Sequence, residues 1–280
     1  MTILKREITL SEALGAYLCY TPGTAETDGF RADLRTLNHT LLHDSIQECQ
    51  QAEKVKDAAK TVPKRQLIHQ VYTRKVKELA ALYPFLFATE NALRAIASES
   101  YSQLFKDPFW WRDITLAVSA GRTDAYFTAK GDGKKRVRKV PVNPSFVSSC
   151  FYAAEKFTPK QMGILAHVDC PSTKFYDEMT IRNLFNLIDA DLSLCPIGGL
   201  QRKQFKNHMM IICDARNEVF HGNPIKNRSS LFTACETVLD AACFHLGDFD
   251  EALRNATYTR QTPSKKRNDK HLLPPRPLPT

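Results

Sequence analysis

A chain of 280 residues, 43% hydrophobic and 25% charged, has enough apolar material to bury a core as one large domain or two small ones, which excludes wholesale disorder. Its 39 lysines and arginines outnumber 30 acids for a formal charge of +9, which favours polyanions or anionic surfaces as partners. The longest apolar run, at 79–88, is too short to span a bilayer and is broken by Tyr83 and Pro84. The opening residues MTILKREITLSEAL lack a secretion signal's apolar stretch, so the expected setting is the cytoplasm, with no membrane contact.

Glycine is scarce, alternating strand patterns are hard to find, and apolar residues recur at spacings of three and four, which predicts an all-α fold. In chain order the pattern predicts helices at 10–19, 29–58, 65–82, 84–105, 112–120, 145–156, 178–192, 201–220 and 228–255. Pro84 suits the first turn of its helix, which then carries Phe85, Leu86, Thr89, Leu93 and Ile96 along one face. Asp107-Pro108 stops that helix, and Phe109, Trp110 and Trp111 supply an aromatic plug for the core. The eight cysteines are scattered without a CxxC pair and read as core thiols of a reducing compartment.

Residues 130–141, KGDGKKRVRKVP, place Lys130, Lys134, Lys135, Arg136, Arg138 and Lys139 around a Gly-Asp-Gly turn. This predicts an exposed basic loop or short hairpin, which either grips phosphates or is simply solvated. From residue 257 the prolines and the run Lys265, Lys266 and Arg267 predict a disordered, basic, Pro-rich tail. The expected division is an N-terminal helical region at 1–62, a larger helical domain at 63–256 carrying the basic insertion, and the tail at 257–280.

The segment with most chemistry is 201–227, QRKQFKNHMMIICDARNEVFHGNPIKN. Phe205, Met209, Ile212, Arg216 and Val219 fall on one helical stripe, so Arg216 stands in line with core residues, where a guanidinium needs an answering group. His221 precedes Gly222, Asn223 and Pro224, a helix stop. Five residues turn an unbroken helix through about 140°. A joint site for Arg216 and His221 therefore needs an unwound last turn or a second protomer. An imidazole that exchanges protons beside a permanent cation suits RNA cleavage without metal. His221 would act as general acid or base on the 2′-hydroxyl, Arg216 would steady the phosphorane, and Asn217 would orient either the ring or the phosphate. The products would be a 2′,3′-cyclic phosphate and a 5′-hydroxyl. The other reading of the same residues is an arginine paired to a core carboxylate, with Glu90 the candidate, and a histidine capping a helix end.

Arg216, Asn217 and His221, standing as RNEVFHGNPI, resemble the signature of the HEPN superfamily, and within it the Abi-like proteins of abortive infection. Residues 83–111, with Glu90, Leu93, Arg94 and the tryptophans, are similar to that family's first conserved helix, and 65–250 is the span covered. The resemblance implies a HEPN-like helical bundle that dimerises so that two Arg-His motifs face one cleft. It also implies metal-independent RNA cutting, with Glu90 and Arg94 in support, and a role in phage defence or as a toxin held by an antitoxin or regulatory partner. Gly222 and Asn223 stand where many members carry a second histidine or an acid. Two rival readings are a non-catalytic RNA-binding or regulatory module of the same fold and a scaffold that recruits proteins through the 29–58 helix. No metal-ligand spacing, phosphate loop or dinucleotide fingerprint is legible, so neither metal nor cofactor is expected.

Overall fold

The structure is a computed structural model that describes residues 25–55, 62–128, 131–225 and 227–245, together with Gly15, Tyr17, Gly247 and Ala252. Apart from Gly15 and Tyr17, the predicted helix at 10–19 lies outside the described residues, as do Lys130 and the basic tail. The fold is all-α with one small hairpin. The chain divides into two compact units, one reaching to Glu78 and one running from Leu79 to Arg254.

The first unit holds α1 (Ala25–Thr36), α2 (His39–Val55) and α3 (Lys64–Ala80). The single helix predicted over 29–58 is two helices, because the side chain of Asn38 accepts the backbone N–H of Leu41 at 3.0 Å and caps a new start. Phe30, Leu42, Ile46, Cys49, Leu67 and Ile68 form its core with Tyr17. Because Leu67 and Ile68 belong to that core, the division falls after Glu78 rather than at 62/63.

A polar bridge also ties this unit together. The 5%-exposed Asp33 accepts two hydrogen bonds from Arg65 at 2.9 Å and one from His69 at 2.8 Å. Burial alone would raise the Asp33 carboxyl, but the Arg65 and His69 hydrogen bonds and charges outweigh it and hold it below the ordinary carboxylate value. The sign follows: a depressed carboxyl contributes stability above its unfolded value and loses it as pH falls through the folded value. Acid titration of Asp33→Asn is expected to show lower stability at neutral pH and a shallower loss of α1–α3 helicity below about pH 4, the ordinary carboxylate region. An acid limb as steep as wild type would remove Asp33 as its source.

The second unit is organised on α4 (Tyr83–Phe105), a 23-residue helix with Pro84 in its first turn. Phe85, Leu86, Thr89 and Leu93 are buried along the face expected of them, and Ile96, the fifth residue of that face, is half-buried. Around α4 lie α5 (Arg112–Ser119), α6 (Pro144–Ala154), α7 (Pro159–Ala166), the short α8 (Lys174–Asp177), α9 (Ile181–Ala190), α10 (Arg202–Phe220) and α11 (Arg228–Ala241). α8, α9, α10 and α11 pack on α4, α6 packs on α5 and α9, and α10 packs along α11. The aromatic plug forms from the two tryptophans, while Phe109, expected with them, is half-buried with the Arg112 guanidinium 4.3 Å from its ring centre. Trp110 and Trp111 are fully buried, and Trp110 meets Phe105 at 4.7 Å and Phe146 at 5.7 Å between ring centres. Trp111 stacks on Phe175 at 5.4 Å, and its indole N–H donates to the Ser172 carbonyl at 3.0 Å.

Three boundaries differ from the pattern, each for a local reason. α7 has no predicted counterpart, although Thr158 and Gln161 cap it reciprocally with Pro159 at its start. The helix expected from 178 begins at Ile181, where the Thr180 hydroxyl accepts the Asn183 N–H at 3.2 Å. α11 ends at Ala241 instead of 255, because Cys243 turns left-handed at φ 53° and the Phe244 N–H returns to the Leu239 carbonyl at 2.9 Å. Close to that end, Gly198 approaches so tightly that a Cβ would stand 2.0 Å from the Ala241 carbonyl oxygen. Six of the seven described cysteines are buried free thiols, as core thiols should be, while Cys243 is exposed.

The basic segment forms the hairpin of β1 (Lys135–Val137) and β2 (Val140–Val142), with Val137 opposite Val140. Its turn is Arg138-Lys139, both left-handed at φ 49° and 68°, and not the Gly-Asp-Gly upstream. A two-residue turn of this hand suits the twist of paired strands but usually takes Asn-Gly. Here Arg138 is held by Asp107 at 3.1 Å and Asp113 at 2.8 Å, and Val137 and Val142 bury themselves beneath.

Candidate active site

α10 starts at a reciprocal cap between Gln201 and Gln204 and buries Phe205, Met209, Ile212, Cys213 and Ala215. The predicted stripe therefore holds for its first three members and reaches the surface at Arg216 and Val219, which are half-buried. The helix ends as the sequence predicts. Gly222 is left-handed at φ 70°, its N–H bonds the Val219 carbonyl at 3.1 Å, and the Asn223 N–H bonds the Glu218 carbonyl at 2.8 Å. This double return fixes His221 as the last residue of the helical path, at φ −89° and ψ 1°, with its own N–H on the Asn217 carbonyl at 3.0 Å. Asn217 and His221 are both exposed. The last turn is closed, not unwound, so Arg216 and His221 leave the helix in different directions.

The surroundings of Arg216 correct one expectation. Glu90 does not answer it: its carboxylate takes Arg94 at 2.6 Å, four residues along the same helix. Arg94 also donates to the carbonyls of Tyr176 at 3.1 Å and Met179 at 2.9 Å, so Glu90 and Arg94 brace α4 against the chain around α8. Arg216 forms no ion pair among the described residues, and its buried Nε has no hydrogen-bond acceptor. Its guanidinium lies instead over the Phe220 ring, 4.2 Å from the centre. Phe220 meets Tyr83 at 6.0 Å, and Tyr83 stacks on Phe87 at 5.6 Å and 16°.

Arg182 pairs with Asp214 at 2.6 Å and Arg202 with Asp189 at 3.1 Å, and although Arg74 and Arg112 share a buried Nε without an acceptor, Arg74 also pairs with Glu48 at 2.6 Å and Arg112 donates to the His167 carbonyl at 3.1 Å. Beneath the site, burial pushes the Cys213 thiol up to about 11, so it sits there as an inert apolar group.

The basic hairpin keeps less free charge than its sequence suggests. Lys135 meets Asp124 at 3.4 Å, Arg136 meets Asp132 at 2.8 Å, and Arg138 meets Asp107 and Asp113. Lys134 and Lys139 are exposed and have no carboxylate partner among the described residues. The acids at 107, 113 and 124 are distant in sequence, so the pairing was invisible before the fold brought them together.

The aromatic trio also escaped the sequence reading. Its signal was the four-residue spacings Tyr83-Phe87 and Arg216-Phe220, hidden in Tyr83's case within an apolar run whose Phe85 and Leu86 are core. Among the described residues no group of three His, Cys, Asp or Glu side chains is placed to hold a metal ion, and no helix is long and apolar enough to cross a membrane.

These features define the class as an all-α protein with an arginine and a histidine at the carboxyl end of one helix. Comparison with protein-family models, with curated proteins and with solved structures finds no match for this chain.

Proposed function

We propose that the chain is a metal-independent endoribonuclease of the HEPN type, working as a homodimer in the cytoplasm in phage defence or as a toxin. The observation that carries this reading is Arg216, a half-buried guanidinium at a helix end with a buried, unanswered Nε and no carboxylate partner among the described residues. Such a group is short of an acceptor, and a phosphodiester supplies oxygens in the geometry a guanidinium fork prefers. Asn217, next to Arg216 in the chain, and His221, at the end of the same helix, are both exposed and add an orienting amide and a proton-exchanging ring.

In the reaction an imidazole removes the 2′-hydroxyl proton and the 2′-oxygen bonds to phosphorus. The P–O5′ bond breaks, and O5′ leaves with a proton given back by an imidazole. Arg216 holds the charge on the phosphorane oxygens. Because α10 closes normally and points the two side chains apart, the second protomer of a shared cleft supplies the complementary member of each Arg-His set. An antitoxin or regulatory partner restrains the cutting.

Incubating end-labelled RNA in EDTA with the wild-type chain tests this. Cleavage leaving 2′,3′-cyclic phosphate ends is expected, and RNA bound but left whole would mean a non-catalytic RNA-binding module instead. A second expected result separates the hairpin lysines. Changing Lys134 and Lys139 to glutamine should reduce the salt slope of single-stranded RNA binding by about 1.4, at roughly 0.7 per phosphate contact. Changing Lys135, Arg136 or Arg138, whose charges are already answered, should alter the slope far less. Equal effects from all five would restore the whole cluster as the phosphate grip.

A further inference from the structure

We infer that Tyr83, Phe87 and Phe220 form a stacking platform on which unpaired bases of the RNA bound at Arg216 lie; this rests on the ribonuclease reading and names the side chains that hold the bases. The three side chains are 46%, 51% and 54% exposed, and they are contiguous, through ring distances of 5.6 Å and 6.0 Å. Isolated exposed rings are ordinary on protein surfaces, whereas a joined apolar set of about 300 Å² is of the size that often serves binding.

The occupant follows from what surrounds the rings. The guanidinium of Arg216 lies on Phe220 itself, 4.2 Å from its centre, so cation and aromatic surface belong to one feature. Tyr83 opens α4, whose start has no side-chain cap and no acidic residue in its first turn, so no carboxylate of that turn opposes an anion beside the Tyr83 ring. On α4 the nearby Glu90 is neutralised by Arg94, and on α10 Glu218 falls about 200° around the helix from Arg216. A phosphate backbone with splayed bases matches this mixture of bare rings and unopposed positive charge.

A second copy of the chain fits the rings less well. Half of the ~200 Å² that each ring side chain carries leaves about 300 Å² in all. A stable dimer buries about 800 Å² on each side. A duplex fits poorly too, because its bases are already stacked on one another and hidden from side chains.

The test uses the full chain and a 2′-O-methyl oligoribonucleotide that cannot be cut, carrying 2-aminopurine, as a single strand and as a duplex. The single strand should bind with quenched 2-aminopurine fluorescence and the duplex should bind more weakly. Tyr83→Leu and Phe87→Leu should each lower single-strand affinity roughly ten-fold, within the range measured for losing one base stack. Because both rings are half-exposed, thermal unfolding should stay at the wild-type midpoint; Phe220 is left intact because it carries Arg216. Equal affinity for duplex and single strand overturns the platform, as does wild-type binding by both leucine variants or a chain that binds neither probe. Conversion of a dimer to monomers by the leucine substitutions also overturns it, since the rings are then an interface between copies. The two readings fail separately: stacking of the uncuttable strand without cleavage of natural RNA in EDTA sinks the catalytic reading alone, and ring-independent cleavage sinks the platform alone.

Discussion

Arg216→Ala is expected to reduce single-turnover RNA cleavage by about a hundred- to a thousand-fold, the cost of removing one preorganised donor to a developing anion. The loss should appear mainly in kcat, because the phosphorane oxygens carry more charge than the ground-state phosphate. Arg216→Lys should recover little. A lysine ammonium keeps the charge but cannot lie flat on Phe220, as the guanidinium does at 4.2 Å, nor offer two parallel donors. Thermal stability should change little in either variant, since Arg216 makes no ion pair among the described residues whose loss would strand a carboxylate. A large fall in stability with unchanged cleavage would make the arginine structural.

The largest effect on stability is expected at Trp110. Its side chain is fully enclosed, touches Tyr101, Phe105, Phe146 and Phe175, and donates its indole N–H to the Tyr176 hydroxyl at 2.9 Å. Trp110→Ala removes the ring and leaves a cavity among four aromatic neighbours, costing ~3–5 kcal/mol. For a unit of this size that corresponds to a drop in Tm of about 6–20 °C. Trp110→Phe should cost less, at about 1–3 kcal/mol, because it keeps much of the packing but leaves the Tyr176 hydroxyl without its donor. Thermal unfolding of the two variants checks both, and equal midpoints would show that the hydrogen bond rather than the ring carries the effect.

The all-α class was legible because the apolar period is carried by long helices such as α4 and α10, where Phe85, Leu86, Thr89 and Leu93, or Phe205, Met209 and Ile212, recur on one face. Local caps were harder to weigh. Asn38 splits one predicted helix with a single side-chain bond, and Thr158 with Gln161 starts another in a stretch whose apolar pattern is weak. The unit boundary was misplaced because Leu67 and Ile68 look like the start of the following helical domain, while their packing partners are Phe30, Leu42 and Ile46.

At the site, the Schellman turn at Gly222 was readable from His-Gly-Asn-Pro, since only a left-handed residue closes a helix in this way. What the chain alone could not show is pairing across sequence distance. Glu90 had two arginines to choose from and takes Arg94, one turn along its own helix. Arg138 finds Asp107 and Asp113 only when the hairpin folds back to the α4–α5 junction. The aromatic platform likewise needs α4 and α10 side by side before Tyr83 and Phe220 meet.

The most direct measurement is cleavage, in EDTA, of a single-stranded oligodeoxynucleotide that contains one ribonucleotide, by wild type and by His221→Ala. If the imidazole activates a 2′-hydroxyl beside a guanidinium-bound phosphate, wild type cuts once, immediately 3′ of the ribose, and leaves a 2′,3′-cyclic phosphate, while His221→Ala leaves the strand whole. Cutting at deoxy linkages, equal cutting by the two proteins, or an intact strand in both would contradict the account.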